Sequence, residues 1–455
     1  MQAQKVQMAA GSVRKLLRRN AHGHVSNLLA KFRPADVSTI IESLTEPERV
    51  AVFSILVRRD RDFAAETLSE LGAERGLELL APLKSEEISE VLQELETDDA
   101  AEFISALPEG TAREVLEGMR VEDSTEVQEL LQYEPETAGR IMTPNVFSLS
   151  EDLAVSEAIH AIQTAEDLEM VFYLYVVDDR RHLVGVVSLR QLLVVPPGTP
   201  LKKVMTANVI AVKTDTDQEE VARQVALYDL LAIPVTDAEN KLVGVITVDD
   251  VIDVIKEEAT EDIFHMAGVD VHDHVYTPVR LSVRRRLPWL AINLVTALIA
   301  ASVVAIFEPT IARFSFLAVF LPVVAGMGGN CGTQTLTVII RGLALGELTW
   351  ANSRAALAKE AMVGITNGFV LGIVAGFAAY LWKSNAILGL VLAGAMIINM
   401  FVAGVTGSVI PLLLKKINVD PAIASGIILT TFTDVTGFLS FLGLASILLH
   451  YIPLS

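Results

Sequence analysis

A carboxylate set in the middle of a greasy stretch can hold a cation, carry a proton or tie helices together, and Asp434 is such a residue. It lies about twelve residues into the apolar run 422–449, which at a helical rise of about 1.5 Å per residue puts it about 18 Å from the start of that run. A lone charge at that depth costs about 2.5–3.5 kcal/mol on insertion scales unless it faces water or an ion. Thr430, Thr431, Thr433 and Thr436 surround it with hydroxyls, and Gly437 permits close approach of another helix. The group reads as a wet pore wall; the alternative is a neutral or hydrogen-bonded carboxyl joining helices. A second polar segment, Gly328-Gly329-Asn330-Cys331-Gly332-Thr333-Gln334, interrupts another apolar stretch. Such a break is tolerated where it is buried in protein or lines a cavity. Asn330, Gln334, Thr430, Thr433, Asp434 and Gly437 are therefore the candidate pore-lining residues, with tight helix packing as the other explanation of the glycines.

No other acidic residue is expected at comparable depth, so one chain cannot assemble a dehydrating carboxylate cage. Magnesium sheds water reluctantly and is usually held by one or two carboxylates with several waters retained. Two Asp434 side chains related by a twofold axis suit a hydrated Mg2+ ion, which leads to the expectation of a homodimer with the pore at its interface.

A different carboxylate pattern precedes the apolar region. Residues 247–262 read as one long helix on which Asp250, Asp253, Glu257 and Glu261 recur at three- or four-residue spacing. Like charges so placed repel one another, and a bound divalent cation relieves the repulsion. A solvated acidic face explains the same run without a ligand.

These residues need elements to position them. Only five of the 56 acidic residues lie from Leu287 onward, although the formal net charge is −20. The front is thus strongly acidic, which excludes nucleic acid as a partner and favours cations. A single cysteine, Cys331, excludes an intramolecular disulfide framework. Arg14, Lys15, Arg18 and Arg19 have no long apolar stretch behind them, so no cleaved signal peptide is expected and the front should lie in the cytosol.

From 34 to 134 short amphipathic patterns repeat, for example Val37, Ile40, Ile41 and Leu44, then Ile88, Val91, Leu92 and Leu95. Thr45 and Glu48 have capping-box spacing, and Asp98, Asp99 and Glu102 put carboxylates near a helix start. An all-α, solenoid-like domain is expected. Between 141 and 255 the chain repeats itself: Ile141-Met142-Thr143-Pro144 and Val204-Met205-Thr206-Ala207 open two copies roughly 60 residues apart. Each copy continues with a helix, two strands (173–177 and 183–187; 233–235 and 242–246) and a closing helix, which resembles a tandem α/β pair of CBS domains. That resemblance implies an adenine nucleotide such as ATP as a possible ligand. Asp250 fills the ribose-binding place of the closing motif in the second copy, whereas Gln191 fills it in the first. No phosphate loop of the Walker type occurs, so nothing suggests that nucleotide hydrolysis drives transport.

Five apolar stretches, 287–307, 315–340, 360–382, 386–413 and 422–449, are long enough to span a lipid bilayer. Arg284-Arg285-Arg286, then Arg341, Arg354 and Lys359, then Lys415-Lys416 mark the ends facing the cytosol. The expected topology is a multi-pass protein of the plasma (inner) membrane with the N-terminus inside and the C-terminus outside. The expected domains are 1–135 (N-terminal helical), 136–200 (CBS 1), 201–247 (CBS 2), 248–280 (a connecting helix) and 281–455 (an α-helical membrane domain).

Gly329-Asn330-x-Gly332-x-Gln334, Thr433-Asp434-Val435-Thr436-Gly437 and the order of domains together resemble the MgtE family of magnesium channels over nearly the whole chain. The resemblance implies import of Mg2+, with Asp434 as the pore aspartate for hydrated Mg2+. It implies that 248–280 is a plug closing the pore when cytosolic Mg2+ bridges acidic domains. Carried over by motif position, the bridging residues are Asp217, Glu219, Asp229, Asp250, Asp253, Glu258, Glu261, Asp262 and Asp420, with Glu66, Asp98 and Glu102 from the helical domain. Three departures stand out: Glu102 where an aspartate is usual, Lys256 within the plug, and Gly426-Ile427 where an Asn-Pro pair is common.

Two rivals have a stated content. A channel for cobalt or nickel would want nitrogen or sulfur ligands, yet His265, His272 and His274 lie outside the apolar stretches and are expected to face solvent. A CBS-regulated membrane enzyme would need a nucleophile with its base or an open metal site, and no Ser–His–Asp or His-Glu-x-x-His arrangement is present.

Overall fold

The computed structural model describes residues 2–448 apart from 145, 166–172, 274, 276 and 418. Two compact units divide the chain, Met1–Ile255 and Lys256–Ser455.

The first unit opens with ten helices among the described residues: α1 (Gln2–Leu17), α2 (His22–Leu29), α3 (Pro34–Glu42), α4 (Glu46–Val57), α5 (Arg61–Ser69), α6 (Gly72–Leu80), α7 (Ser85–Leu92), α8 (Thr97–Ala106), α9 (Glu109–Gly118) and α10 (Val121–Leu130). Their boundaries follow local chemistry. The Thr45 N–H donates to Glu48 Oε2 at 3.1 Å, as the capping-box spacing requires, and the Phe63 N–H donates to Asp60 Oδ1 at 3.2 Å to start α5. The periodic apolar residues Val37, Ile40, Ile41, Ile88, Val91 and Leu92 are buried. Their core runs without a break into that of the second α/β repeat, where Val212, Val221, Ile233 and Ile246 belong to the same cluster.

The repeats follow as β1 (Ser148–Ser150), α11 (Val155–Thr164), β2 (Tyr173–Val177), β3 (Leu183–Ser188) and α12 (Leu189–Val194), then β4 (Val212–Lys213), α13 (Gln218–Tyr228), β5 (Ala232–Thr236), β6 (Leu242–Thr247) and α14 (Val248–Met266). Each copy builds a three-stranded sheet with its first strand parallel to the second and the second antiparallel to the third. β3 and β6 alternate buried and half-buried residues, the mark of a sheet with one covered face.

The two opening motifs are exchanged. The Thr143 N–H donates to Val245 O, and the Thr206 N–H to Val186 O, both at 2.9 Å, so each motif pairs with the third strand of the other copy. Met142 then packs over Gly244 and Met205 over Gly185, where any Cβ would strike the thioether. This reciprocity gives the Met-Thr repeat a physical reason: the methionine fills the hollow left by a glycine across the interface.

The second unit contains the end of α14, then α15 (Val279–Ile306), α16 (Glu308–Arg313), α17 (Leu317–Ala344), α18 (Ser353–Lys383), α19 (Ala386–Lys416) and α20 (Pro421–Leu448). All five expected stretches are helical. Among the described residues four helices, α15, α18, α19 and the Ser425–Leu448 part of α20, are long and apolar enough to cross a membrane. The remaining stretch, α17, is 28 residues long, but its Gly328–Gln334 segment dilutes the hydropathy.

Gly364, Gly368, Gly372 and Gly376 form a ladder on α18 whose rungs lie against the main chain of α19 at Met400, Ile397, Ala393 and Gly389. At these rungs α18 presents no side chain, so its backbone reaches the main chain of α19 directly. One expectation needs correction beside it. Glu360 was placed at the very start of its stretch, but α18 begins at Ser353, and Glu360 is buried with the Thr335 hydroxyl donating to its Oε2 at 3.1 Å. A second carboxylate is therefore enclosed in this unit, held by a hydroxyl of α17 and by Lys359 Nζ at 3.1 Å from its Oε1.

Candidate pore helix and acidic clusters

Asp434 occupies the middle of α20 and is half-buried, and its carboxylate makes no hydrogen bond or ion pair among the described residues. The neighbouring hydroxyls are spent on their own helix: Thr430 on the Gly426 and Ile427 carbonyls, Thr431 on Ile427 O at 2.7 Å, and the fully buried Thr433 on Thr430 O at 3.0 Å. Back-bonding of this kind lets a hydroxyl survive in an apolar setting. It also leaves Asp434 as the polar group of the turn with free acceptors.

On α17, Asn330 and Gln334 are four residues apart and exposed, which places both amides on one face. Gly332 faces inward, where a Cβ would meet Leu429 of α20 at 2.9 Å. Gly332 thus serves close packing of α17 on α20, and Gly328 makes room for Asn399 of α19, while the two amides are exposed. Gly437 is buried against the Asn399 carboxamide of α19. Asn399 is fully buried, donates from Nδ2 to Val324 O at 2.9 Å, and leaves Oδ1 without a hydrogen-bond partner among the described residues.

In the first unit the ends of α8 and α14 bring aspartates together. Asp98 Oδ1 is buried without a hydrogen-bond partner. Burial, and then the charges of Asp250, Asp99 and Glu96, push the Asp98 carboxyl well above the usual carboxylate range. Burial also raises Asp99, a Ser69 hydrogen bond opposes it, and the charges of Asp253 and Asp249 add to the rise. Asp250 is pushed up to about 6, again mainly by burial, although the Thr247 hydroxyl donates to its Oδ2 at 2.7 Å. Asp250 therefore also caps its own helix, as Gln191 does in the first copy by accepting from the Ser188 N–H at 2.9 Å.

The other carried-over residues are distributed unevenly. Glu66 is exposed and lines the same open cleft as Asp99. Glu102 is exposed near Arg140, a half-buried guanidinium that burial shifts down and the Glu102 charge shifts back up. Asp217 caps the start of α13 by accepting from the Glu219 N–H at 2.9 Å, while Asp229 ends the same helix in a left-handed conformation, φ 52°. The three are exposed, and within one chain the length of α13 keeps Asp229 apart from the other two.

In the second unit, Asp420 Oδ2 lies 2.9 Å from His265 Nδ1, and Glu261 Oε1 lies 3.5 Å from the same nitrogen. Burial and the Asp420 charge raise Asp262, with His265 acting the other way. Glu258 is one turn earlier on α14 and half-buried. His265 was expected to face solvent; instead its side chain is only 16% exposed, because the acidic face of α14 and the N-terminal cap of α20 close around it. His272 is exposed as expected, and His274 lies outside the described residues. Met266 follows His265 into an apolar cluster with Leu336, Ala422 and Leu429, and its carbonyl would be 3.3 Å from a Cβ on Gly426.

Among the described residues no three histidine, cysteine, aspartate or glutamate side chains stand close enough to form a ready-made metal cage. The buried aspartates of the first cluster repel one another, and in the second His265 stands beside Asp420 and Glu261. Asp99, Asp249, His265, Glu360 and Asn399 were not singled out from sequence as site residues. For Asn399 the signal was available, an amide in the centre of the apolar run 386–413.

Comparison with known proteins gives a consistent picture. The family model described as "Divalent cation transporter" (MgtE) matches residues 321–444, the "MgtE intracellular N domain" matches 32–136, and CBS domains match 138–198 and 201–257. The magnesium transporter MgtE of Enterococcus faecalis is 40% identical over 324 residues, 71% of each chain. That of Thermus thermophilus is 40% identical over 325 residues, 70% of this chain and 72% of the relative. Among solved structures, the cytosolic domain of the Mg2+ channel MgtE in complex with ATP superposes with a TM-score of 0.50 at 36% identity, covering 54% of this chain and 99% of that one.

Proposed function

The chain belongs to the MgtE family, and on that premise we propose how it carries out magnesium transport. It is a transporter and not an enzyme. Mg2+ passes along the face of α20 that carries Asp434, and the ion keeps part of its water shell because a single carboxylate per chain cannot replace it. A second copy of the chain supplies the facing Asp434, so the working unit is a homodimer in the lipid bilayer of the plasma membrane. α17 completes a set of five spans, its Asn330 and Gln334 amides lining the pathway beside Thr430, while Thr433 and Gly437, buried within the chain, hold α20 from behind. Entry is passive, driven by a membrane potential worth about 2.3 kcal/mol per charge per 100 mV. The N-terminus faces the cytosol and the C-terminus faces outside.

The region 248–280 acts as a plug. Cytosolic Mg2+ binds within the acidic clusters, in the first unit at Asp98, Asp250 and Asp253 with Asp99, and in the second at Glu258, Glu261, Asp262 and Asp420. Glu66, Glu102, Asp217, Glu219 and Asp229 contribute from their exposed positions, the last three toward the partner subunit. Binding favours the closed state because it screens carboxylates that otherwise repel. The boundaries 1–135, 136–200, 201–247, 248–280 and 281–455 are the corresponding functional parts. An adenine nucleotide occupies the CBS pair, a reading supported by the ATP complex of the similar cytosolic domain.

The observation that carries this reading is the half-exposed, unpartnered Asp434 carboxylate in the middle of an apolar helix. Mg2+ uptake into proteoliposomes tests it, with internal Mg2+ varied. Asp434→Asn is expected to reduce uptake to background, and wild-type uptake to fall as internal Mg2+ rises. Normal uptake by the variant would remove Asp434 from the pathway.

A further inference from the structure

We infer that Asn399 is a positioning residue of the pore, which ties the polar segment of α17 to the turn of α20 that carries Asp434. This rests on the pore reading of Asp434 given above.

The carboxamide sits where three helices meet. From α19 it donates to the Val324 carbonyl of α17 at 2.9 Å. That carbonyl precedes Gly328 by four residues, and its second lone pair leaves it free to serve its own helix as well. A Cβ on Gly328 would overlap the amide, and one on Gly437 of α20 would lie 2.7 Å from Nδ2 and 3.3 Å from Val324 Cγ1. Both motif glycines therefore make room for one polar side chain. Gly437 lies three residues beyond Asp434, and Gly328 two before Asn330, so a displacement of the amide is passed through these two glycines to the turns that carry Asp434 and Asn330.

Packing alone does not account for an amide here. Asn399 is fully buried, and Oδ1 has no partner among the described residues, an arrangement an apolar side chain would avoid. What the amide supplies, and an aliphatic side chain does not, is the directed bond to Val324 O. That bond fixes the rotation and height of α17 against α19, and the packing of Gly437 on the same amide extends the constraint to α20, and with it to the spacing between the Asn330 and Gln334 amides and the Asp434 carboxylate.

The test uses the full chain in proteoliposomes, with Mg2+ uptake measured against external Mg2+ and in competition with Ca2+. Asn399→Leu keeps the branched shape and removes the bond; Asn399→Ala removes both. Positioning predicts that both variants raise half-saturating Mg2+ and weaken discrimination against Ca2+ by roughly threefold to tenfold. A packing role predicts that Asn399→Leu matches wild type while Asn399→Ala merely yields less folded protein, and that result overturns the inference. Half-saturation and discrimination are independent of how much protein is recovered, so a poorly folding variant still gives an answer. Asp434→Asn is run alongside. If it conducts normally, the pore reading falls and takes this inference with it; if it is silent while both Asn399 variants match wild type, this inference alone fails.

Discussion

Asp98, Asp99 and Asp250 have raised pKa values for the same leading reason, burial, with neighbouring carboxylates adding to it. A folded-state pKa above the unfolded value means that the folded state binds more protons, so stability falls as pH rises through the interval between the two. For Asp250 that interval runs from the ordinary aspartate value of 3.8 to about 6. The metal-free protein should accordingly lose thermal stability between these pH values, as read by melting in detergent without Mg2+. Mg2+ must displace those protons, so its apparent affinity, followed by protection from protease, is expected to weaken as pH drops below about 6. Replacing Asp98 by Asn should flatten the melting profile, because a neutral amide needs no proton to be buried. At this scale Asp434 was legible because a charge inside an apolar run has few bland explanations. Asp98 came only through family resemblance, since carboxylates in a first helical turn are already explained by the helix dipole, and Asp250 was visible as part of an acidic helix face that solvation explains without a ligand. His265 misled because an imidazole in an acidic, loop-bordering stretch looks like a solvated residue until the distant Asp420 is brought beside it.

α14 is the element on which regulation turns. Its start carries Asp249, Asp250 and Asp253, and its end carries Glu261, Asp262 and His265 beside Asp420. The His265 imidazole is a partner of Asp420 in that second cluster, yet Asp420 is about one-third exposed, so solvent screening limits the pair to about 1 kcal/mol or less. Removing it by His265→Ala should loosen the end of α14 in the absence of Mg2+ by at most about fivefold in the open population. Limited proteolysis around 256–270 would show this as faster cleavage that Mg2+ reverses. Cleavage equally fast with and without the imidazole would deny His265 any part in holding the helix. The strands Tyr173–Val177, Leu183–Ser188 and their repeats were readable from alternation and turn residues. Ser148–Ser150 and Val212–Lys213 were not, being three and two residues long with no room for a pattern. α17 was readable as a helix-length apolar stretch, yet its polar segment keeps it out of the four helices among the described residues that are apolar enough to cross a membrane.

Taken over the whole molecule, the chain divides into two compact units within α14, ahead of the change from acidic to apolar composition read at Leu287, so Glu257, Glu258, Glu261, Asp262, Asp270 and Asp273 belong to the second unit. The exchange of opening motifs between the α/β copies was hidden, because sequence repeats tell which residues are equivalent but not which copy each one packs on. Met142 and Met205 should therefore behave as a matched pair. Gly244→Ala, which drives a methyl into the Met142 thioether, is expected to cost about 1–3 kcal/mol of stability in the first unit. Its measure is the midpoint of thermal unfolding.

The ladder of glycines between α18 and α19 bears on a stage of this protein's life before any ion moves. Because only Ser384 and Asn385 separate the two helices and their main chains already fit, the pair can leave the insertion machinery as a finished hairpin while later residues are still being synthesised. A bulky side chain at Gly376 would then be expected to appear as a defect of biogenesis, with nascent chains degraded at the membrane, and the few molecules that escape should conduct normally.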